Sequence, residues 1–209
     1  MLIKRLSLGV LDANGYVLCD ENTKIGAVVD PGGYDERLET AIEQAGIKEL
    51  KFILCTHGHF DHISGARLLK ASHPEAQIGI GKNDAVMLGD GVKNLAFGFG
   101  MNFEPCSENL RFSAGDKIEM GETTLTVYST PGHTPGGVIY VSEKDGVIFS
   151  GDTLFCGSIG RTDFPGSDYG DMMQSLELFK KFPEEYKVYS GHGPETTIGY
   201  ELRNNMYLR

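Results

Sequence analysis

Positive charge is scarce in this chain. Its 209 residues hold 19 lysines and arginines against 29 aspartates and glutamates, a formal net charge of −10. Such a surface repels phosphate backbones, which excludes nucleic acid as an expected partner unless a local basic patch exists. No basic cluster exceeds a pair such as Lys180-Lys181. Cysteine is also sparse: Cys19, Cys55, Cys106 and Cys156 lie far apart with no C-x-x-C pair, so reduced, buried thiols are expected. Long apolar runs are missing. Met1-Leu2-Ile3-Lys4-Arg5 is basic, but Asp12 and Asn14 interrupt the apolar stretch after it, so neither a leader peptide nor a membrane anchor is expected. The cytoplasm is the expected location. Hydrophobic content of 40% and charged content of 23% are ordinary for a globular chain, and the length suits one α/β domain over residues 1–209 with a sizeable core.

Histidine is rare too, yet it is concentrated. Three of the six histidines fall between residues 57 and 62, in Thr56-His57-Gly58-His59-Phe60-Asp61-His62. Imidazole and carboxylate are the usual nitrogen and oxygen ligands of zinc and other divalent transition metals. The preceding Lys51-Phe52-Ile53-Leu54-Cys55 is short, apolar and bounded, which suits a buried strand. Extended geometry carried past Cys55 would point His57 and His59 to one side. A helix expected over 63–71 would place Asp61 and His62 at its start, aimed elsewhere. Two ligand pairs facing two neighbouring points suggest two metal ions.

Along the chain, apolar stretches at 3–10, 15–19 and 25–29 read as strands, with Asn14-Gly15 as the hairpin turn between the first two. Asp30-Pro31-Gly32-Gly33 ends the third. Helical spacing continues over 34–45, stopped by Gly46, and short helices are expected near 83–88 and 201–207 and over 171–182. Further strands are expected near 78–80, 117–120, 124–129, 137–142, 147–150 and 188–190. Between 89 and 110, Gly91, Gly98 and Gly100 alternate with Leu95, Phe97, Phe99, Met101 and Phe103, the pattern of a packed connector or of a flap over a pocket. Each half of the chain is mostly strands and then strand–helix alternation. The expected fold class is α/β (α+β), a four-layer αββα sandwich of two mixed β-sheets.

Four strands each end in a glycine- or proline-containing turn that carries potential ligands. The first leads to His57, His59, Asp61 and His62, the others to His133, Asp152 and His192. Sites in open α/β sheets form beyond the carboxyl ends of strands, so these turns are expected to converge. Only His73 is left over, and a surface position is expected for it.

These segments, with Thr130-Pro131-Gly132-His133-Thr134, Gly151-Asp152 and Gly191-His192-Gly193, resemble the metallo-β-lactamase superfamily over nearly the whole chain. Within it, the stretches 157–166 and 191–197 resemble single-domain proteins of the glyoxalase II (hydroxyacylglutathione hydrolase) group. The resemblance implies the metallo-β-lactamase fold and a binuclear site. His57, His59 and His133 would hold one metal, and Asp61, His62 and His192 the other, with Asp152 bridging. Aspartate at 152 resembles the thioesterase-like branch, whereas zinc β-lactamases carry a cysteine on the second metal.

The expected activity is hydrolysis of a small-molecule thioester such as S-lactoylglutathione, with a metal-bridging hydroxide as nucleophile. Two divalent ions are expected, zinc first, with iron or manganese as alternatives. Asp61 would serve as ligand and as the catalytic residue orienting the hydroxide. Asp30, in another strand-end turn, is either a partner of a ligand imidazole or an ordinary turn residue before proline. Arg161 would clamp a substrate carboxylate or pair with Asp163 or Asp168 to stiffen its loop. Cys156 reads as a buried thiol. Only residues 193–209 come after the last ligand, so the helical domain that supplies much of the glutathione site in full-length glyoxalase II is expected to be absent. The alternative activity is that of a persulfide dioxygenase, which the segment 160–163 also resembles, with one iron on His57, His133 and Asp152.

Overall fold

The computed structural model describes residues 1–209. The chain begins with β1 (Leu2–Leu8), β2 (Ala13–Cys19), β3 (Ile25–Val29), α1 (Glu36–Gln44), β4 (Glu49–Cys55), α2 (Phe60–Ile63), α3 (Ala66–Ser72), β5 (Gln77–Gly81) and β6 (Leu110–Phe112). It continues with β7 (Lys117–Met120), β8 (Thr123–Ser129), β9 (Val138–Ser142), β10 (Val147–Gly151), a small hairpin of β11 (Leu154–Phe155) and β12 (Ser158–Ile159), α4 (Tyr169–Phe179), β13 (Lys187–Ser190), β14 (Thr196–Thr197) and α5 (Ile198–Asn204). The first six strands form one mixed sheet in sequence order, and a second runs β14-β13-β10-β9-β8-β7.

The alternation of side chains along these strands builds three apolar layers. Tyr16, Leu18, Ala27, Val29, Phe52 and Leu54 of the first sheet meet Leu125, Val127, Val138, Tyr140, Val147 and Phe149 of the second. Their sequence neighbours point the other way: Val17, Val28 and Ile53 pack under Leu38, Ile42, Ile63 and Leu69. On the far side, Ile139, Val141, Ile148 and Val188 pack under Met172, Leu176, Phe179 and Ile198. Strands apolar on both faces need cover on both faces, and this requirement produces the expected αββα order.

Local chemistry sets the element ends. Asp35 caps α1 through the Arg37 amide at 2.8 Å, and Asp168 caps α4 through that of Asp171 at 2.8 Å. The helix expected over 63–71 instead starts at Phe60 and breaks at Ser64-Gly65, where the Gly65 amide donates to the Pro31 carbonyl at 2.7 Å. Residues 85–89 form a 3-10 turn rather than an α-helix. The β1–β2 turn also differs from expectation. It spans Gly9 to Asp12, both at positive φ, while Asn14 and Gly15 lie buried within β2. Asn14 is taken by the other sheet: its amide donates to the Gly191 carbonyl at 2.7 Å, and its side chain donates to the carbonyls of Ser190 and Gly193 at 2.9 Å each.

Further bonds join the sheets along the same edge. Tyr16 Oη donates to Ser190 O at 2.6 Å, Tyr140 Oη to Cys55 O at 2.7 Å, and the Val138 amide to Thr56 O at 2.8 Å. Asp84, fully buried, accepts the amides of Gly58 at 2.9 Å and Gly136 at 2.6 Å and the Thr134 hydroxyl at 2.7 Å. It thereby ties the turn after β4 to the turn before β9. At the opposite end, the buried Asp20 accepts from the Thr23 amide at 2.9 Å and from Thr123 Oγ1 at 2.8 Å, again across the two sheets.

Both carboxylates carry a measurable consequence. Asp84→Ala strands three buried donors, each costing about 1–3 kcal/mol when unpaired, so a loss of about 3 kcal/mol or more in denaturant unfolding is expected. An unchanged midpoint would show that the donors find other partners. Burial opposes ionisation of Asp20, but its donors outweigh burial and hold its pKa below the usual range. A depressed folded pKa contributes stability above the unfolded value, about 3.9, that is lost as pH falls through and below it. The stability gap between wild type and Asp20→Asn should therefore shrink between pH 7 and pH 3, as read by thermal unfolding.

Candidate metal centre

The four turns that carry the candidate ligands converge where the carboxyl ends of β4, β8, β10 and β13 meet. His57 and His59 come from the turn after β4, while Asp61 and His62 sit on the single turn of α2. His133 comes after β8, Asp152 after β10 and His192 after β13. His59 Nδ1 lies 2.9 Å from His133 Nε2. His62 Nε2 lies 3.3 Å from Asp152 Oδ1, and His192 Nε2 lies 3.2 Å from Asp61 Oδ2. His133 Nε2 approaches Asp152 Oδ2 at 3.5 Å. Within each of two triads, His57–His59–His133 and Asp61–His62–His192, the nitrogen and oxygen atoms all fall within 4.8 Å of one another. A third triad, His57–His62–Asp152, joins them.

Hydrogen bonds from the far side of the rings orient the cluster. Thr56 Oγ1 donates to Asp30 Oδ2 at 2.7 Å, so toward His57 Nδ1, 3.1 Å away, that hydroxyl can only accept. Asp30 Oδ2 also accepts from His62 Nδ1 at 3.0 Å. His133 Nδ1 donates to the Arg161 carbonyl at 2.7 Å. Each bond places a proton on Nδ1 and turns Nε2 inward. Asp30 thus serves two rings, one of them through Thr56. It is held in a left-handed turn at φ 51°, and its Oδ1 accepts the Thr56 amide at 2.7 Å.

Three buried side-chain atoms have no hydrogen-bond partner, and all three belong to this cluster: His57 Nε2, His62 Nε2 and Asp152 Oδ1. Orphaned buried polar atoms are costly, and their convergence on one point fits divalent cations. The electrostatics agree. Burial and the surrounding imidazoles push the His57 pKa well below the ordinary value, and burial together with His133 takes His59 down to about 3, so both rings are neutral donors. Burial would also strip His62 of its proton, yet Asp152, Asp61 and Asp30 hold its pKa well above the usual imidazole value. Against burial, His62, His133 and His192 keep Asp152 ionised. The site asks for positive charge.

Gly191 leaves room for this arrangement, since a methyl group there would overlap Asp152 Oδ1 and lie 2.7 Å from His62 Cε1. A cavity of about 280 Å³ opens onto the cluster, its apolar wall formed by Leu11, Phe60, Leu95, Phe99, Phe155 and Phe164. Of the aromatic stretch expected to be connector or flap, Leu95 and Phe99 line the cavity, whereas Phe103 packs into the outer core under α1 and α3. Arg161 also lines it, with its guanidinium bound to Asp163 through two bonds of 2.9 and 2.8 Å and stacked 4.3 Å from the Phe164 ring. Asp168 instead caps α4. His73 pairs with Glu39 at 3.0 Å, remote from the cluster, and Cys156 is half-buried rather than buried.

Sequence reasoning missed Asp84, Thr56 and Asn94. Asp84 and Asn94 lie in segments without ligand spacing, and only their contacts reveal them. Thr56 precedes the first histidine, and a hydroxyl beside a ligand imidazole was the available signal.

The family model of the metallo-β-lactamase superfamily matches residues 8–192. The chain is 35% identical to the hydroxyacylglutathione hydrolase GloC of Haemophilus influenzae, across all of this chain and 98% of that protein. Among solved structures, the BLEG-1 B3 metallo-β-lactamase superposes with a TM-score of 0.92 at 34% identity over 99% of both chains. TTHA1623 in a di-iron-bound form does so with 0.86 at 32%, over 98% of this chain and all of that one. Two mixed sheets between helices, a His/Asp cluster at their edge and these similarities together lead to one conclusion: the chain belongs to the metallo-β-lactamase superfamily.

Proposed function

We propose that this protein is a binuclear metal-dependent thioester hydrolase of the glyoxalase II type, acting on S-lactoylglutathione or an analogue. The observation that carries this reading is a triad of three histidines beside an Asp/His triad, the two joined through Asp152, with three orphaned atoms pointing inward. His57, His59 and His133 would hold one divalent ion and Asp61, His62 and His192 the other, with Asp152 touching both. Imidazole and carboxylate donors suit zinc, and iron fits the same set. Bound there, the ions would supply a hydroxide at neutral pH and polarise an acyl carbonyl.

The chain's own residues do the rest. Asp30 and the Arg161 carbonyl hold the protons of His62 and His133 on Nδ1, on the side away from the reacting groups. Asp61 Oδ2, beside His192 Nε2, would accept a hydrogen bond from the attacking water and orient it. Leu11, Phe60 and Phe99 give one side of the cavity an apolar wall that a bound acyl group would cover. No spare acid faces the cavity, and a thioester needs none, because a thiol of pKa about 8.5 leaves as thiolate. The similarity to the Haemophilus hydroxyacylglutathione hydrolase supports the same substrate class.

Metal analysis alongside assays of S-lactoylglutathione, a β-lactam and a persulfide tests the reading. Two ions per chain and thioester cleavage are expected. One iron per chain with oxygen uptake on the persulfide, or β-lactam cleavage with thioesters untouched, would overturn it. Asp30→Ala should lower metal affinity or activity roughly 10- to 100-fold, as loss of a ligand's outer partner does. Asp152→Ala and His133→Ala should cost more, with the fold retained by circular dichroism; wild-type metal content in either would refute the ligand assignment.

A further inference from the structure

The segment 90–101 is fastened to the metal centre at one residue. Asn94 is fully buried, and all of its polar groups are satisfied. Its amide donates to Asp90 O at 3.0 Å and its side chain to Met87 O at 3.0 Å, while its Oδ1 accepts the Ala96 amide at 3.0 Å. Its carbonyl accepts the Phe60 amide at 3.0 Å, and Phe60 stands between His59 and Asp61. The next residue, Leu95, is in the left-handed region at φ 72°. That conformation is strained for a bulky side chain, and persists only where the surroundings impose it. Here it accompanies a leucine on the cavity wall.

Two residues further along the wall remain in solvent. Phe99 is 50% exposed, its ring centroid 5.4 Å from that of Phe60, and Leu11 on the β1–β2 turn is 43% exposed. Apolar groups left exposed at the mouth of a cavity mark a surface that a ligand covers. Arg161 is the one lysine or arginine in the lining, and Asp163 occupies its fork. A peptide carboxylate entering this cavity would have to displace Asp163, whereas a phenyl or branched alkyl group meets Leu11, Phe60, Leu95 and Phe99 without leaving a polar group unpaired.

We infer that the cavity beside the metal centre is an acyl slot selective for apolar groups: among thioester analogues it prefers an aromatic or branched aliphatic acyl portion over a small hydroxyacyl such as lactoyl. The inference rests on the hydrolase reading for its chemistry and on the cavity wall for its selectivity. The two are separable by experiment. Titration calorimetry would compare S-benzylglutathione with S-methylglutathione, thioethers of one thiol that cannot be hydrolysed. Steady-state kinetics would compare the phenylacetyl and lactoyl thioesters of the same thiol.

The aromatic member of each pair should be favoured by about ten-fold or more, in affinity and in kcat/KM. Phe99→Ala and Leu95→Gly should bring both ratios toward unity. Leu95→Gly relieves the left-handed backbone, so its Tm should not fall below that of wild type, which separates lost selectivity from lost folding. Equal affinity, or no measurable binding of either thioether, together with equal kcat/KM would overturn the slot and leave thioester hydrolysis standing. A benzyl preference without turnover of either ester would keep the slot and overturn the hydrolase reading.

Discussion

A dry cluster of imidazoles and carboxylates is the constraint on which the rest of the structure depends. Removing such groups from water is costly unless each gains a partner. Here the outward-facing atoms gain protein partners, whereas three of the inward-facing ones, His57 Nε2, His62 Nε2 and Asp152 Oδ1, do not. Asp30 is the hinge of this division, because one carboxylate fixes the proton of His62 directly and that of His57 through the Thr56 hydroxyl. Its position just after β3 places it behind the turn that succeeds β4, and the parallel pairing of those strands keeps the two turns level.

The second demand is that two sheets deliver these imidazoles and carboxylates to one point. The hydrophobic layer between them holds them together without setting their register to a fraction of an ångström, since apolar attraction is not directional. Directional bonds do this at the site edge. Asn14 and Tyr16 reach from the first sheet to the backbone at 190–193, and Tyr140 and Val138 reach back to Cys55 and Thr56. Asp84 adds a further tie between the turns that carry His57 and His133. The turn that carries the second-sheet candidate ligand His192 is thus gripped by residues of β2.

Much of this was legible in the sequence because the signals were local. The doubly apolar strands called for cover on both faces, and glycine- or proline-bearing turns with histidine or aspartate after four strands called for convergence. Phe52 to Cys55 reads as a buried strand because every residue of it is apolar. What stayed illegible depended on distant partners. Asn14-Gly15 carries a strong turn signal, yet Asn14 forms three bonds to a segment some 176 residues away, and these outweigh the local preference. Helical periodicity over 63–71 could not reveal the break at Gly65, which is set by the Pro31 carbonyl. Asp84 looks like any polar residue before a short helix. Arg161 reads as a loop stiffener ahead of a clamp, and its bonds to Asp163 with its stack on Phe164 match the stiffener.

The candidate ligand atoms come from both halves of the chain: His57 to His62 lie on the first sheet's edge, and His133, Asp152 and His192 on the second's. A cation seated among them would act as a noncovalent rivet across the seam between the sheets. Any ion that binds the assembled state and not the separated halves shifts the folding equilibrium by mass action, in proportion to the logarithm of its free concentration over its dissociation constant. Metal supply would then govern how much folded protein persists as well as how fast each molecule turns over.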